Sequence, residues 1–254
     1  MDMNLGTEKA IEKWERYAEI FTTGYGEQGD LHRVVLLNPT LLSLLPSLVG
    51  KRVLDAGCGE GYLSRMLIKL GASSVVGVDY SSRMIQLAQD KTPQELCVEY
   101  KHGNCENLNF LQDKSFDIIV SNMVIHDLAN YESAIHEMYR LLADEGIFIF
   151  SIPHPCFASP GSGWVKSDTG EKLYRKVDNY FYEGEYEQIF PLDQEDKLLY
   201  FHRTITSYVN AIVSAGFRLE AMIEPKPSDE MLLKYPSFKE DLRCSDFLVF
   251  HLKK

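Results

Sequence analysis

The residues best arranged for chemistry are three glycines and two aspartates. In Val53-Leu54-Asp55-Ala56-Gly57-Cys58-Gly59-Glu60-Gly61-Tyr62 an apolar stretch meets a Gly-x-Gly-x-Gly turn. Glycine lets a chain turn tightly and lets a ligand approach the backbone with no Cβ in the way. The spacing is not the Gly-x-Gly-x-x-Gly of dinucleotide-binding turns. Asp55, just before the turn, would repel a pyrophosphate but suits a cationic ammonium, held directly or through water. A second aspartate, Asp79, ends the next apolar stretch 18 residues after Gly61. In a strand–helix–strand unit an acid at that place accepts hydrogen bonds from ribose hydroxyls. Three histidines, His126, His154 and His202, are candidate general bases, because imidazole titrates near neutral pH. His102 and His136 read as structural.

These groups need a scaffold, and the hydrophobic pattern supplies one. Residues 52–56, 75–79, 98–101, 116–121 and 147–152 read as short buried strands. Helical spacing fills the intervals 62–70, 82–91 and 131–142. Near-continuous apolar strands separated by helices predict a mostly parallel sheet covered on both faces. The expected fold is therefore α/β and Rossmann-like. Seven strands are expected, with 218–224 and 247–252 as an antiparallel edge and 225–246 as the excursion between them. Ahead of the sheet, 8–21 reads as an amphipathic helix, 22–30 as a glycine-rich loop, and 31–49 as helical but interrupted near Asn38-Pro39 and Pro46.

Residues 153–201 break the rhythm. They hold 10 aromatic residues in 49 positions, against 11% for the whole chain, and Pro153, Pro155, Pro160 and Pro191 punctuate them. An aromatic-rich insertion at the carboxyl edge of a sheet can wall off a small substrate. The expected organisation is one domain over 1–254. It divides into a helical segment 1–49, a cofactor-binding core 50–152, a substrate cap 153–203 and a closing helix with two strands over 204–254.

The Gly-x-Gly-x-Gly turn with Asp55 and Asp79 favours S-adenosylmethionine over a nicotinamide dinucleotide. The set VLDAGCGEGYLS, GVDYSSRMI, GNCENL and FDIIVSNMVIHDL, in that order, resembles the class I S-adenosylmethionine-dependent methyltransferases, most closely their small-molecule type 11 branch. The resemblance implies that Gly57 and Gly59 lie against the methionine part of the cofactor. It implies that Asp79 holds the ribose and Tyr80 lies along the adenine. Asn104, Cys105 and Glu106 match the segment that reads the adenine edge, with Asn104 where the family usually has Asp. Asn122 closes the fourth strand beneath the reacting end of the cofactor. Trp14-Glu15-Arg16-Tyr17 resembles a stretch that lies over the cofactor, and Tyr17 could reach its carboxylate; Tyr25 and His32 are weaker candidates.

Composition narrows the partners. The net charge is −11 and no basic run exists beyond Lys253-Lys254, which argues against a nucleic-acid substrate. Five cysteines, none in a Cys-x-x-Cys pair, argue against a structural zinc site or disulfide framework and suit a reducing compartment. The polar start and the lack of any long apolar run predict a cytoplasmic protein without a membrane anchor. The expected activity is methyl transfer from S-adenosylmethionine to an oxygen or nitrogen of a small-molecule acceptor, by alignment and with a possible histidine base. Alternatives are an inactive S-adenosylmethionine-binding protein, a protein methyltransferase and, less in keeping with the turn, a nicotinamide-dependent oxidoreductase.

Overall fold

The fold follows from side-chain alternation along the central strands. In the computed structural model, which describes residues 4–190 and 193–254, Arg52–Ala56 (β1), Ser74–Asp79 (β2), Val98–His102 (β3), Phe116–Asn122 (β4) and Leu142–Pro153 (β5) lie parallel. Successive residues point to opposite faces of a sheet. Leu54, Ile119, Phe148 and Phe150 thus enter one core, and Val53, Ile118, Val120 and Ile149 the other. Each fully buried side chain of this size contributes about 1.5–3 kcal/mol.

Helices cover both faces. Tyr62–Lys69 (α3) packs on the Val53 face, as does Asn38–Leu44 (α2) through Leu41. Tyr131–Leu141 (α5) and Ile205–Ser214 (α6) pack on the Leu54 face. Ser82–Lys91 (α4) flanks β2 and β3. Local chemistry sets the helix starts. The side chains of Ser81, Asn130 and Thr204 accept from the backbone N–H of Met84, Ser133 and Ser207, satisfying a donor with no intrahelical partner. Arg218–Ile223 (β10) and Phe247–Lys253 (β11) close the sheet antiparallel, giving the order β10-β11-β5-β4-β1-β2-β3. The excursion between them holds the helix Asp229–Lys234 (α7) and a tight turn at Pro236–Leu242.

The segment between β5 and α6 is two separate hairpins. Gly163–Lys166 (β6) pairs with Lys172–Lys176 (β7), and Gly184–Phe190 (β8) pairs with Asp193–His202 (β9). They have different neighbours. Trp164 of β6 lies under the Arg243 guanidinium, and Arg175 of β7 pairs with Asp246, so β6–β7 leans on the excursion before β11. On β9, Leu198 clusters with Tyr17 of the N-terminal helix Asn4–Thr22 (α1). Pro191 lies outside the described residues.

Two details differ from the sequence expectation. Pro39 does not interrupt the second helical segment: the widened turn Arg33–Leu37 runs straight into α2, with the Asn38 N–H reaching back five residues to Arg33 O. Proline near a helix start is tolerated because that turn lacks acceptors for its N–H groups. Strand β5 begins at Leu142 and not near 147, because Phe116 pairs with Leu142 while Ile118 pairs with Ile147. The surplus residues form a bulge, with Glu145 at φ 63. Residue 123 also has a left-handed backbone: Met123, at φ 63, directly follows β4. Non-glycine residues held there cost of order 1–3 kcal/mol and cluster at functional sites.

Candidate active site

The carboxyl edge of β1, β2, β4 and β5 gathers the chemistry that the sequence spread over 100 positions. The β1–α3 turn is left-handed at Gly57, Gly59 and Gly61. Gly57 and Gly59 are glycine for different reasons. A Cβ on Gly57 would meet Val124 Cγ2 at 2.2 Å, so that position is closed by the chain itself. A Cβ on Gly59 would have nothing within 4 Å. Gly59 therefore faces open space, and its N–H donates to Asp79 Oδ2 at 2.8 Å. Asp79 Oδ1 accepts from the Ser81 N–H at 2.9 Å, and burial raises this carboxyl above the usual range. An open glycine turn beside a half-buried acid at the end of β2 fits an adenosyl ligand with a methionine arm.

Asp55 sits deeper. It is 1% exposed, accepts from Ser64 Oγ at 2.6 Å, and burial pushes its carboxyl up to about 7. Tyr80 is half-buried with its ring 5.7 Å from that of His102. A groove runs past Tyr80, His102, Ser82 and the Glu8, Glu12 and Glu15 side of α1. Glu15 fixes α1 there by accepting from Ser81 Oγ, Ser82 Oγ and the Arg83 N–H.

The segment after β3 has largely internal partners. Asn104 Oδ1 accepts from the Glu106 N–H at 2.9 Å, and its Nδ2 donates to Glu106 Oε2 at 3.2 Å. Glu106 Oε1 accepts from Thr7 Oγ1 and the Asn130 N–H, tying α1 to the start of α5. Cys105 is buried, which drives its thiol far above the ordinary value. Asn122 centres a polar chain beneath the Gly turn: Ser151 Oγ donates to its Oδ1 at 2.6 Å, and its Nδ2 donates to Tyr62 Oη at 2.6 Å. Tyr62 in turn donates to Asn38 Oδ1. Tyr17 is buried against Leu198 and flanked by Trp14, Phe21 and Tyr200, joining α1 to β9.

The three histidines have unequal freedom. His154 has partners on both ring nitrogens, Glu224 Oε1 at 2.9 Å and the Cys156 N–H at 3.2 Å. His202 Nε2 meets Tyr180 O at 2.9 Å. His126, by contrast, is buried, and its Nδ1 has no hydrogen-bond partner among the described residues. It lines a small cavity together with Tyr186, Tyr200, His202, Arg203 and Tyr208. Sequence reasoning missed Asp127 and the weight of Arg203. Asp127 accepts from the Trp14 indole, and its Oδ1 lies 3.4 Å from His126 Nε2 without a hydrogen bond. Burial drives the two apart, His126 down to about 3 and Asp127 up to about 8, so both are neutral near pH 7 rather than an ion pair. Asp127 lies within the FDIIVSNMVIHDL stretch, but nothing in that stretch singles out its carboxyl; burial distinguishes the two.

This has a measurable consequence. Folded Asp127 and Asp55 hold protons that the unfolded chain releases near 3.8, so each contributes stability at low pH that is lost as pH rises through about 8 and 7. His126 has the opposite sign: its neutral folded form is favoured above 6.5, and that contribution is lost as pH falls toward 3. Above pH 6.5 only the carboxyl terms remain. The Tm of the ligand-free protein is expected to fall by several degrees between pH 6 and 8.5, and Asp127→Asn should flatten the slope. A Tm that rises over this range contradicts protonated buried acids.

Sheet order, left-handed glycine turn and acid at the end of β2 define a class I methyltransferase-type domain. Comparison agrees with the geometry. Residues 54–150 match the family described as a methyltransferase domain. A Listeria monocytogenes protein assigned as an S-adenosylmethionine-dependent methyltransferase superposes with a TM-score of 0.75 at 31% identity, covering 85% of this chain and 95% of that one. An S-adenosylmethionine-dependent methyltransferase from Mesorhizobium loti gives 0.77 at 28% identity, covering 90% and 100%. A ubiquinone biosynthesis O-methyltransferase of Glaesserella parasuis is 32% identical over 160 residues, 59% of this chain and 65% of that enzyme. The chain belongs to the class I S-adenosylmethionine-dependent methyltransferases, and S-adenosylmethionine is its cofactor.

Proposed function

We propose that the enzyme methylates an oxygen or nitrogen of a small organic molecule held beneath the β8–β9 hairpin. The observation that carries this reading is the cavity where His126, just past β4, faces Tyr186 of β8 and Tyr200 of β9. Aromatic walls there suit contact with a small organic acceptor rather than with a folded protein or a duplex. The O-methyltransferase name of the Glaesserella parasuis relative supports the same class of reaction. Bound S-adenosylmethionine supplies an electrophilic sulfonium methyl, so the protein's work is mainly alignment.

The residues divide that work. Gly57 and Gly59 shape the turn against which the methionine arm lies, and Asp79 accepts from the ribose hydroxyls. Tyr80 flanks the adenine. Asn104, Cys105 and Glu106 line its edge, chiefly through backbone, since the Asn104 and Glu106 side chains are engaged with each other. Asp55 acts from below, through Ser64 and the turn it holds. Asn122 fixes Tyr62 under the reacting end, and Tyr17 clamps α1 to the cap. Among the candidate bases, His126 Nδ1 is free to accept the acceptor's O–H or N–H proton in a hydrogen bond. His202 shapes the same cavity, and His154 braces the β5 edge.

Incubation with methyl-labelled S-adenosylmethionine and a cell extract, followed by size fractionation, tests the reading. Label is expected in the low-mass fraction; label in protein or nucleic acid overturns it. Tyr200→Ala should lower the low-mass transfer at least tenfold by removing a cavity wall. S-adenosylhomocysteine affinity should stay within about threefold, and a parallel loss of cofactor binding would place Tyr200 on the cofactor instead.

A further inference from the structure

We propose that Glu15 of α1 is a positioning residue for the cofactor: through Ser81 it holds the Asp79 carboxylate in the orientation that meets the ribose. The inference rests on the reading of Asp79 as the ribose acceptor and adds what keeps that acid in place. Asp79 has two tethers. Its Oδ2 accepts from the Gly59 N–H at 2.8 Å, and its Oδ1 accepts from the Ser81 N–H at 2.9 Å. The first aims the acid at the glycine turn; the second ties it to the start of α4. Ser81 is fully buried, and its hydroxyl has two partners. Oγ accepts from the Met84 N–H at 3.0 Å and donates to Glu15 Oε2. Met84 lies on the same helix and would accompany Ser81 in any shift. Glu15 is 66 positions away, so of the two it is the one that anchors Ser81 to another part of the fold.

The anchor is itself fixed. Glu15 Oε1 accepts from Ser82 Oγ at 2.6 Å, and the Arg83 N–H reaches both carboxylate oxygens at 3.2 Å. These donors open α4, where backbone N–H groups lack intrahelical acceptors and a negative charge is favoured. The start of α1 is seated separately. Thr7 Oγ1 donates to Glu106 Oε1 at 2.6 Å and accepts from the Ala129 N–H at 2.8 Å. Gly6 passes so near its neighbours that a Cβ there would meet Ala129 at 3.0 Å and Phe201 at 3.2 Å. One turn beyond Glu15, Glu19 pairs with the Arg83 guanidinium. The helix that carries Glu15 is therefore held on both sides of it.

The path Glu15–Ser81–Asp79–Gly59 runs from α1 to the glycine turn, and every link is a hydrogen bond. A carboxylate makes stronger hydrogen bonds than a neutral acceptor. Residues in one hydrogen-bond network also act non-additively, so a change at one end is felt at the other. Removing the Glu15 carboxylate takes away the acceptor of the buried Ser81 hydroxyl and loosens the turn that aims Asp79. Glu15 need not touch the cofactor for this. Its loss should fall on the recognition of the ribose hydroxyls, whereas loss of a mere helix tether would weaken every ligand alike.

The test titrates the full-length protein calorimetrically with S-adenosylhomocysteine and with its 2′-deoxy analogue. The wild type should prefer the parent ligand by about tenfold or more. In Glu15→Ala that preference should shrink at least threefold. Ser81→Ala should shrink it to a similar extent, and the double variant should lose no more than either single one. Glu15→Gln, which removes the charge and keeps one acceptor oxygen, should retain part of it. Glu19→Ala cuts another contact between α1 and α4 that bypasses Ser81, and should leave the preference intact. Should Glu15→Ala fail to fold, Ser81→Ala decides by the same criterion. A wild-type preference in Glu15→Ala, even with both ligands weakened, overturns the proposal, as does an equal loss in Glu19→Ala. If Asp79→Ala keeps the preference, the ribose reading itself fails; if Asp79→Ala loses it and Glu15→Ala does not, only the role of Glu15 is retired.

Discussion

Gly59→Val is expected to abolish S-adenosylhomocysteine binding, weakening it by at least a hundredfold, in a protein that remains folded. A Cβ at Gly59 meets nothing within 4 Å, so the first atom of the new side chain clashes with no part of the protein. It projects into the open space proposed for the methionine arm. The folding cost is that of a side chain at φ +53, roughly 1–2 kcal/mol, or about 5 °C in Tm for a chain of this size. Gly57→Val is the informative partner. Its side chain would collide with Val124 at 2.2–2.8 Å, and at φ +82 it adds the same strain. Overpacking costs about 1–3 kcal/mol. The combined loss should therefore appear as roughly a 6–12 °C drop in Tm. Calorimetry and titration on both variants separate the two roles. Normal ligand affinity in Gly59→Val would mean that the turn does not face the cofactor.

Asp79→Ala should weaken S-adenosylhomocysteine by roughly 10- to 100-fold. Hydrogen bonds to a charged acceptor are worth about 1.5–3 kcal/mol, and each 1.4 kcal/mol is a factor of ten. The same carboxylate also accepts from the Gly59 and Ser81 N–H groups, so loss of affinity could come from the turn rather than from the ribose. A 2′-deoxy analogue resolves this. In the wild type it should bind more weakly than the parent ligand; in Asp79→Ala the two should bind alike, because the partner of the missing hydroxyl is gone. An unchanged dissociation constant in Asp79→Ala would mean that the ribose is held elsewhere.

The parts of the site legible in the sequence are those that depend on backbone and near neighbours. Gly57, Gly59 and Asp79 stand out because a strand, a turn and a strand lie within thirty residues; that Val124 closes the space beside Gly57 was not legible. The excursion before β11 and the antiparallel edge were legible for the same reason. The aromatic insertion was visible by composition, but its division into two hairpins with separate partners was not. Strand pairing there depends on register and on what each face meets, and the hydrophobic pattern of β6 and β7 is weak: both are half-exposed. Asn104 and Glu106 matched a cofactor-binding segment by position, while their side chains are spent on each other, Thr7 and Asn130.

The sequence by itself determined the α/β architecture, the order of elements and the glycine turn after β1, because apolar period, glycine placement and capping residues act over short range. Tertiary structure alone decided which polar groups lost their water. Thr7 reaches Glu106 across 99 positions, and His126 and Arg203 are drawn to one cavity from distant parts of the chain. Desolvation is a property of the assembled surroundings. A histidine with both nitrogens engaged at 154 and one with a buried, unpartnered nitrogen at 126 look alike in a sequence, and only the packing around them separates the two.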